Sequence, residues 1–406
     1  MTDTTIRQAA LAAAAGNAAF ALWRLPDRAG AMLLVSLAGH QAKGAVDFAD
    51  TRPAFAFSRY DNFDGDAADL IAADIVVTGD GLRFAGPDGA LSAEPATGAQ
   101  RAFAASLADT PSDARLEVPA WAVAPVARGQ AHYEGIVDRT LAEIAAGRLE
   151  KAVGSRAVPV ALPAGADALD LFAALERRYP AAFVCLTFLP GTGVWIVATP
   201  ERLMSVDGSG LATMALAGTQ TLAEGADVEA IAWRGKFIEE QALVCRYMRE
   251  RFHACGFRTY RETGPRTVRA ANLAHLRSVF TVPADGGDFA NDGDFRRACN
   301  ALLREMHPTS AVCGMPRQPA IDFLAAEEGY DRGYYCGYLG PLNIAGSSDL
   351  FVNLRAAQVI GGIVHLYVGA GLVDGSVPAD EWQETVEKSK TLGAVIAGLQ
   401  PQAAAS

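Results

Sequence analysis

Short apolar segments separated by turn-forming residues run through the first 120 residues of the chain. In order they are Ala31–Leu37, Ala54–Phe57, Ile75–Val77 and Leu82–Phe84, with Gly, Pro and Asp between them. Segments of this length between such residues are typical of antiparallel strands and hairpins. A chain with this pattern buries its apolar residues by pairing strands, so we expect sheets in this part.

Helices and strands mix in the rest of the chain without a regular strand-helix-strand period. Apolar residues at helical spacing predict helices over Tyr133–Leu149, Ala168–Arg178, Val228–His253, Phe295–Met306 and Ala320–Glu327. Strand patterns occupy Glu150–Val160, Phe183–Phe188, Val194–Ala198, Arg202–Val206, Leu211–Leu216 and His275–Val282, and residues 334–371 are rich in strands. The mixture predicts an α+β fold with a mainly antiparallel sheet system.

A Pro- and Ala-containing connector between Pro111 and Arg128 is the best candidate for a boundary, although it is too short and too apolar for a free linker. We therefore expect a divergent N-terminal part over residues 1–120, a second region over 121–398 and a tail over 399–406. No internal repeat is evident in the sequence.

The composition limits the classes of partner. The 406 residues are 50% hydrophobic and carry a net charge of -11 without a basic run, which argues against a nucleic-acid surface. No apolar run is long enough for a membrane span, and the first residues do not resemble a signal peptide. The 6 cysteines lack metal-ligand spacing and are typical of a reduced, cytoplasmic protein. The oligomeric state is left open.

A predicted helix near the C-terminus gathers three charges on one face. It covers residues 380–388, with Pro378 just before it and acidic residues at its start. Glu381 and Glu384 are three residues apart, and Lys388 lies four beyond Glu384. Such a face could bind a hard cation and an anionic substrate beside the glycine turn at Gly371, or it could be a solvated surface with one Glu–Lys pair.

Single charged residues elsewhere are candidates for chemistry, each with an ordinary alternative. Lys151 lies among small and apolar residues, where burial would favour a neutral amine and a role as general base, unless it guards a sheet edge. Glu201 follows Pro200 at a strand junction and could equally be an exposed turn carboxylate. Glu239 and Glu240 lie in a helix, where one of them suits either a metal ligand or a solvated face.

Three further positions are ambiguous in the same way. His275 lies in a strand and is either a core histidine or a site residue. Arg355 interrupts an apolar strand, where a guanidinium is suited to bidentate binding of a carboxylate. Tyr334 and Tyr335 are either core aromatics or site residues.

Taken together, the polar motifs follow the order found in the chorismate-utilising enzymes. They are Lys151-Ala-Val-Gly-Ser-Arg156, Ala198-Thr-Pro-Glu201-Arg-Leu203, Leu216-Ala-Gly-Thr219, Lys236-x-x-x-Glu240, His275-Leu276, His307-Pro-Thr-x-Ala-Val-Cys-Gly-x-Pro316, Tyr330-Asp-Arg-Gly333, Leu354-Arg355, Gly369-Ala-Gly371 and Glu381-Trp-x-Glu-Thr385-x-x-Lys388. Over about residues 120–398 the chain resembles this family, and within it the isochorismate synthases. The resemblance implies large, mainly antiparallel sheets packed together and flanked by helices.

The resemblance also implies a set of roles. Lys151 would activate a water for attack at C2 of chorismate, and Glu201 would protonate the departing C4 hydroxyl. Metal ligation would fall to Glu240, Glu381 and Glu384, which would hold Mg²⁺ for the ring carboxylate of the substrate. The remaining positions would bind or line the substrate pocket, namely Gly218, Thr219, His275, Tyr335, Arg355, Gly371 and Lys388.

Single positions favour one branch of the family. Anthranilate synthases have glutamine at the position of Lys151, and aminodeoxychorismate synthases have a lysine nucleophile where this chain has Ala217. Both differences favour water as the incoming group. A salicylate synthase, which also eliminates pyruvate, is the nearest alternative, and menaquinone and siderophore biosynthesis both use isochorismate.

Two positions depart from the family pattern. An acidic residue usually lies three before the metal glutamate and a histidine directly after it, where this chain has Phe237 and Gln241. These departures affect the predicted metal ligands more than the predicted acid and base. They also admit a chorismate-binding protein without catalytic activity.

Overall fold

A computed structural model describes residues 4–37, 42–111, 113–118, 123–222, 227–228, 230–270 and 273–399. Within these ranges the helices are α1 (Thr4–Ala15), α2 (Gly98–Asp109), α3 (Gln130–Ala145), α4 (Ala168–Arg178), α5 (Gly235–Ala254), α6 (Asp292–Met306), α7 (Arg317–Glu327) and α8 (Pro378–Ala397). The strands are β1 (Ala19–Arg24), β2 (Met32–Ser36), β3 (Ala42–Gly44), β4 (Ala54–Ser58), β5 (Ala68–Ala72), β6 (Ile75–Thr78), β7 (Gly81–Ala85), β8 (Leu91–Ser92), β9 (Lys151–Ala161), β10 (Phe183–Leu189), β11 (Gly193–Thr199), β12 (Arg202–Asp207), β13 (Gly210–Thr221), β14 (Arg261–Ala270), β15 (Leu273–Pro283), β16 (Gly314–Met315), β17 (Tyr338–Leu342), β18 (Ser348–Val352), β19 (Ala356–Ile360) and β20 (Ile363–Leu372).

These strands form two large sheets. The first has 11 strands in the order β16-β9-β20-β19-β11-β10-β1-β2-β6-β7-β8, and the second has 9 in the order β14-β15-β13-β12-β18-β17-β4-β5-β3. The strand pairings in both sheets are antiparallel. The predicted α+β fold with mainly antiparallel sheets is therefore confirmed.

Strand β1 shows how the first sheet buries both of its faces. Trp23 and its neighbours two apart along β1 face the core between the two sheets, which also contains Phe55 of the second sheet. Phe20 and Leu22 face the opposite way, into a second core that includes Phe172 of α4. Because consecutive side chains of a strand point to opposite faces, an almost wholly apolar strand such as β1 needs a layer on each side.

Two neighbouring crossovers carry the chain between the sheets. Residues 200–201 lead from β11 in the first sheet to β12 in the second, and residues 353–355 lead from β18 back to β19. The amide of Val352 donates to the carbonyl of Glu201 at 3.0 Å, and the amide of Ala198 donates to the carbonyl of Arg355 at 3.1 Å. The backbone of Arg355 is left-handed, with a φ of 51°, which turns the chain sharply here. The crossovers thus fix Glu201 and Arg355 side by side.

The N-terminal residues contain more than the expected strands. Helices α1 and α2 lie among them, and α2 begins with a capping box formed by Thr97 and Gln100. Strand β1 pairs with β10, and β4 pairs with β17, so strands from this part extend both sheets. The proposed boundary at residues 120 and 121 lies outside the described residues, as does most of the predicted tail.

The prediction that the long central helix begins at Val228 is wrong. Helix α5 begins at Gly235, and Arg234 before it is extended. The indole of Trp233 donates to Thr267 at 2.9 Å and packs edge-on against Phe237, which holds the preceding segment away from the helix axis. In the described part of the chain, no helix is long and apolar enough to cross a membrane.

Replacing Phe351 by Ala tests the packing between the sheets. Its ring stacks on Phe183 of the facing sheet with the centroids 4.1 Å apart, and it is 1% exposed. We expect the free energy of unfolding, measured by denaturant titration, to decrease by about 3–5 kcal/mol because a large buried side chain leaves a cavity. The matched variant Leu91→Ala, at a 40% exposed position, should cost about 0.5 kcal/mol or less. Equal losses in the two variants would contradict this account.

Candidate active site

A cleft lies beside the two crossovers and collects most of the predicted site residues. Its walls come from β9, β13, β15, β20, α5 and α8. Nine predicted residues line it: Glu201, Gly218, Glu240, His275, Tyr335, Arg355, Gly371, Glu384 and Lys388. Lys151 reaches the cleft through its contact with Glu240. Glu381 is not among the lining residues, and the side chain of Thr219 lies outside the described residues.

Lys151 is completely buried at the start of β9. Strand β9 lies between β20 and β16, so the alternative of a lysine facing solvent at a sheet edge is wrong for this residue. Its ammonium donates a hydrogen bond of 2.9 Å to Oε1 of Glu240. Since a buried cation requires a counter-charge, this pairing decides where the two side chains lie.

Glu240 comes from the first turns of α5 and is held ionised. Its second oxygen, Oε2, accepts the amide hydrogen of Gly218 at 3.1 Å. Burial works against ionisation, but Lys151, Lys388 and the Gly218 amide together lower the pKa of Glu240 below its ordinary value. Gly371 leaves space for the pair, because a Cβ atom there would lie 2.5 Å from Oε1 of Glu240.

Glu201 has the opposite electrostatic character. It is 4% exposed at the first crossover, and burial raises its pKa to about 8 despite the opposing charges of Lys151, Arg355 and Lys388. At neutral pH this side chain is therefore mainly a protonated acid that can donate its proton. The cleft thus contains one ionised and one protonated glutamate.

Two cations line the cleft in different states. The ammonium of Lys388 is satisfied by Glu384 at 2.7 Å and by the carbonyl of Gly369 at 2.8 Å. Arg355 is partly buried, its pKa is lowered by that burial, and no carboxylate among the described residues forms a salt bridge with it. A desolvated guanidinium of this kind is suited to a carboxylate group on a ligand.

His275 and Tyr335 supply polar but uncharged lining. Burial, followed by the charge of Arg355, lowers the pKa of His275 to about 3, so the ring is neutral. Since Nδ1 lies 2.9 Å from the Gly218 carbonyl, which can only accept, Nδ1 carries the hydrogen and Nε2 is the acceptor of the ring. Tyr335 stacks on Tyr367 with the ring centroids 5.3 Å apart. These contacts fix both rings.

Helix α8 is anchored so that one face meets the cleft. The guanidinium of Arg156 lies 3.8 Å from the ring centroid of Trp382, and its Nε donates to Thr385 at 2.8 Å. Glu384 and Lys388 then line the cleft, whereas Glu381 is buried one turn earlier in the helix and helps to raise the pKa of Tyr133. The three charges predicted to act together thus divide between the cleft and the helix packing.

The carboxylates at the cleft are ligands of the type that binds a hard cation. Glu240 and Glu384 both line it, and carboxylate oxygens are the ligands that Mg²⁺ prefers. Among the described residues, however, no three His, Cys, Asp or Glu side chains converge as a metal group, and each of these two carboxylates is paired with a lysine. Phe237 packs against Gly218, and Gln241 is buried and donates to Ser278, so neither lines the cleft.

Part of the cleft lining was not predicted from the sequence. Tyr367 and the small residue Ala311 both line the cleft. Tyr367 could have been found, because it alternates with Gly369 and Gly371 along β20 and so shares their face. Ala311 lies in a loop, within the motif that begins at His307, to which no site role was assigned.

Comparisons with known proteins show which family this chain belongs to. The family described as "Chorismate binding enzyme" matches residues 96–397. The isochorismate synthase MenF of Escherichia coli (strain K12) is 30% identical over 264 residues, which cover 63% of this chain and 58% of MenF. The salicylate biosynthesis isochorismate synthase of Pseudomonas aeruginosa is 32% identical over 217 residues, covering 52% of this chain and 43% of that protein. The chain thus matches less than two thirds of the length of either relative.

The solved structure of MenF, described as the menaquinone-specific isochorismate synthase from Escherichia coli, has a similar fold. The TM-score is 0.74 at 22% sequence identity, over 96% of this chain and 91% of that chain. At this identity the likeness establishes the fold. The predicted packing of large sheets flanked by helices is confirmed.

The raised pKa of Glu201 predicts a pH-dependent stability. The folded chain holds the proton up to about pH 8, whereas the unfolded chain releases it near 4.5. The stabilisation is therefore complete below about pH 4.5 and is lost as the pH rises to 8, on the order of 5 kcal/mol over that window. In Glu201→Gln this contribution is absent, so the variant should gain stability relative to the wild type between those pH values.

Denaturant titrations at several pH values measure this difference. The control is Tyr335→Phe, because burial raises the pKa of Tyr335 well above its ordinary value and it stays protonated throughout the window. A parallel pH dependence of the wild type and Glu201→Gln would show that Glu201 is ionised in the folded protein.

Proposed function

This chain belongs to the chorismate-binding enzyme family, and on that basis we propose that it is an isochorismate synthase, which converts chorismate to isochorismate. The observation that carries the proposal is that one cleft, which also contains Arg355, has a buried lysine, Lys151, and a buried protonated acid, Glu201, beside it. An amine and an acid in these positions suit a reaction in which one group accepts a proton and another donates one.

The reaction is a substitution in which atoms and charge balance. A water adds at C2 of the ring and gives one proton to Lys151, the ring double bonds shift, and the C4 hydroxyl leaves as water with the proton of Glu201. Lys151 ends protonated and Glu201 ionised, so a proton returns between turnovers. Ala217, in contact with the cleft, offers no amine to compete with water.

The two carboxylates of chorismate need positive charge in an acidic protein. Arg355 is the direct partner, because no described carboxylate forms a salt bridge with it. Lys388 is a second partner: its ammonium would leave Glu384 and bind a carboxylate of the substrate. Neutral contacts would come from Gly218, Thr219, His275, Tyr335 and Gly371. These residues orient the ring between Lys151 and Glu201.

Mg²⁺ is the proposed cofactor. Glu240 and Glu384 would hold it at the cleft, with Glu381 one turn earlier on α8 as the remaining carboxylate of the set. When bound, the ion supplies positive charge that neutralises the ring carboxylate of the substrate. Lys151 and Lys388 pair with these two glutamates, so we infer that both lysines shift toward the substrate in the loaded protein. The buried Lys151 ammonium then lacks its counter-charge, which favours loss of its proton and gives the neutral amine that the base role requires.

Incubation of the purified protein with chorismate and Mg²⁺, followed by chromatography, tests the activity. We expect isochorismate as the product. Lys151→Ala and Glu201→Gln should each lower kcat by about 10²–10⁴-fold, as for loss of a general base or acid, while chorismate binding measured by calorimetry persists. Lys390→Ala, an exposed lysine on α8, is the matched control and should retain activity.

Other products would indicate other proteins. Salicylate with pyruvate as the main products would identify a salicylate synthase, and binding without turnover would identify a catalytically silent protein. A wild-type activity that persists in Lys151→Ala would contradict the assigned base.

The pH profile of the wild type gives a further check. Because Glu201 acts in its protonated form, kcat/KM should decline as the pH rises through about 8. In Glu201→Gln the residual rate should lack this decline. A wild-type rate that keeps rising above this pH would exclude Glu201 as the acid.

Removal of divalent ions tests the cofactor. EDTA should abolish product formation, and added Mg²⁺ should restore it. Glu384→Gln should raise the Mg²⁺ concentration needed for half-maximal activity, because it removes a charged ligand. Glu387→Gln, on the same helix but paired with Lys390 at the surface, should not. Full activity in EDTA would overturn the metal assignment.

A further inference from the structure

A buried ion pair lies just outside the cleft and has no part in the reaction described above. Glu328 and Arg332 are each 3% exposed. Arg332 donates to both carboxylate oxygens of Glu328, from Nε to Oε2 at 2.7 Å and from a terminal nitrogen to Oε1 at 2.6 Å. Neither side chain lines the cleft. The pair belongs to the segment after α7 that contains the Tyr330-Asp-Arg-Gly333 motif, to which no role was assigned.

The pair binds the edge of β9 where that edge has no neighbouring strand. Strand β16 covers only Lys151 and Ala152. Beyond it, Arg332 donates to the Val153 carbonyl at 2.6 Å. Glu328 accepts the Ser155 amide at 2.7 Å and the Ser155 hydroxyl at the same distance. The two side chains therefore continue the hydrogen-bond ladder of β9 in place of a strand.

The same pair also holds a second wall segment of the cleft. Arg332 donates to the Val312 carbonyl at 2.9 Å, and its own carbonyl accepts the amide of Tyr335 at 3.0 Å. Val153, Val312 and Tyr335 all line the cleft. The side chains of the pair thus connect two wall segments, of which the first begins with Lys151, and the backbone turn at Arg332 leads to the third at Tyr335.

Neighbouring side chains leave the pair little freedom to move. The single hydroxyl hydrogen of Ser155 goes to Glu328, so the Tyr330 hydroxyl, 2.6 Å away, donates to Ser155. The guanidinium of Arg332 also lies 4.6 Å from the ring centroid of Tyr60. A pair with its hydrogen bonds satisfied in this way fixes geometry, whereas a buried ion pair is a weak source of net stability compared with an apolar replacement.

We propose that Glu328 and Arg332 are positioning residues, which hold β9 and the segment at Val312 in register so that Lys151 meets its substrate. The inference rests on the proposed function, because the reaction defines what must be positioned. A displacement of about 1 Å in a reacting group is enough to cost on the order of 10²-fold in rate. Loss of the pair should therefore lower kcat more than it weakens binding.

The first test is Arg332→Lys, which keeps the charge but loses the planar fork that reaches Glu328, Val153 and Val312 together. We expect kcat for isochorismate formation to fall by more than about tenfold with KM changed less than about threefold, in protein that remains folded by circular dichroism. The matched control is Arg139→Lys. Arg139 pairs with Glu327, the residue next to Glu328, at the surface, and its replacement should leave kcat unchanged.

A double variant separates positioning from stability. Glu328→Leu with Arg332→Met replaces the ion pair by apolar side chains and should regain thermal stability while kcat stays low. Ser155→Ala removes one hydroxyl from β9 and should lower kcat severalfold. This smaller change tests the positioning role even if the variants at Glu328 and Arg332 fail to fold.

Two results would overturn the inference. One is a wild-type kcat in Arg332→Lys or Ser155→Ala, and the other is a double variant that regains stability and kcat together. Failure of the wild type to form isochorismate would instead overturn the proposed function, so the two failures are distinguishable in the same assay.

Discussion

The burial of the Lys151 ammonium is the constraint on which the site depends. A cation without solvent must have a counter-charge, and Glu240 supplies it across the gap between the first sheet and α5. This pairing requires a glycine at position 371, where a side chain would collide with the carboxylate. It also requires that the edge of β9 be covered, which β16 does for two residues and the Glu328–Arg332 pair does beyond them. The covered edge of β9, the carboxylate from α5 and the glycine at position 371 are therefore all needed to bury the Lys151 ammonium.

The two glutamates Glu240 and Glu201 have opposite protonation states because their direct partners differ. Glu240 has an ammonium and an amide within hydrogen-bond distance and remains ionised. Glu201 has neither as a direct partner, and desolvation keeps it protonated to about pH 8. The crossovers between the sheets place it beside Arg355 by backbone hydrogen bonds. A protonated glutamic acid and an ionised glutamate can thus coexist in one cleft at neutral pH.

Much of this could be predicted from the sequence, for reasons that differ by residue. Strands such as β10 and helices such as α4 follow local periodicity, and the ordered motifs place Lys151, Glu201 and Glu240 in one site. Periodicity could not give the start of α5, which is decided by a contact of Trp233 with Thr267. Nor could it show that Glu328 and Arg332 are buried, since a Glu and an Arg four apart usually form a surface pair. Glu381 shares a helix face with Glu384 but not its surroundings, which depend on the packing of α8.

The central claim is that water, activated by Lys151, is the incoming group at C2. Isotope incorporation tests it most directly. Chorismate converted in ¹⁸O-labelled water, with the isochorismate isolated early and examined by mass spectrometry and NMR, should carry one ¹⁸O atom at the C2 hydroxyl. Isochorismate that contains no label would mean that the original hydroxyl migrates within the substrate, and would contradict the role given to Lys151.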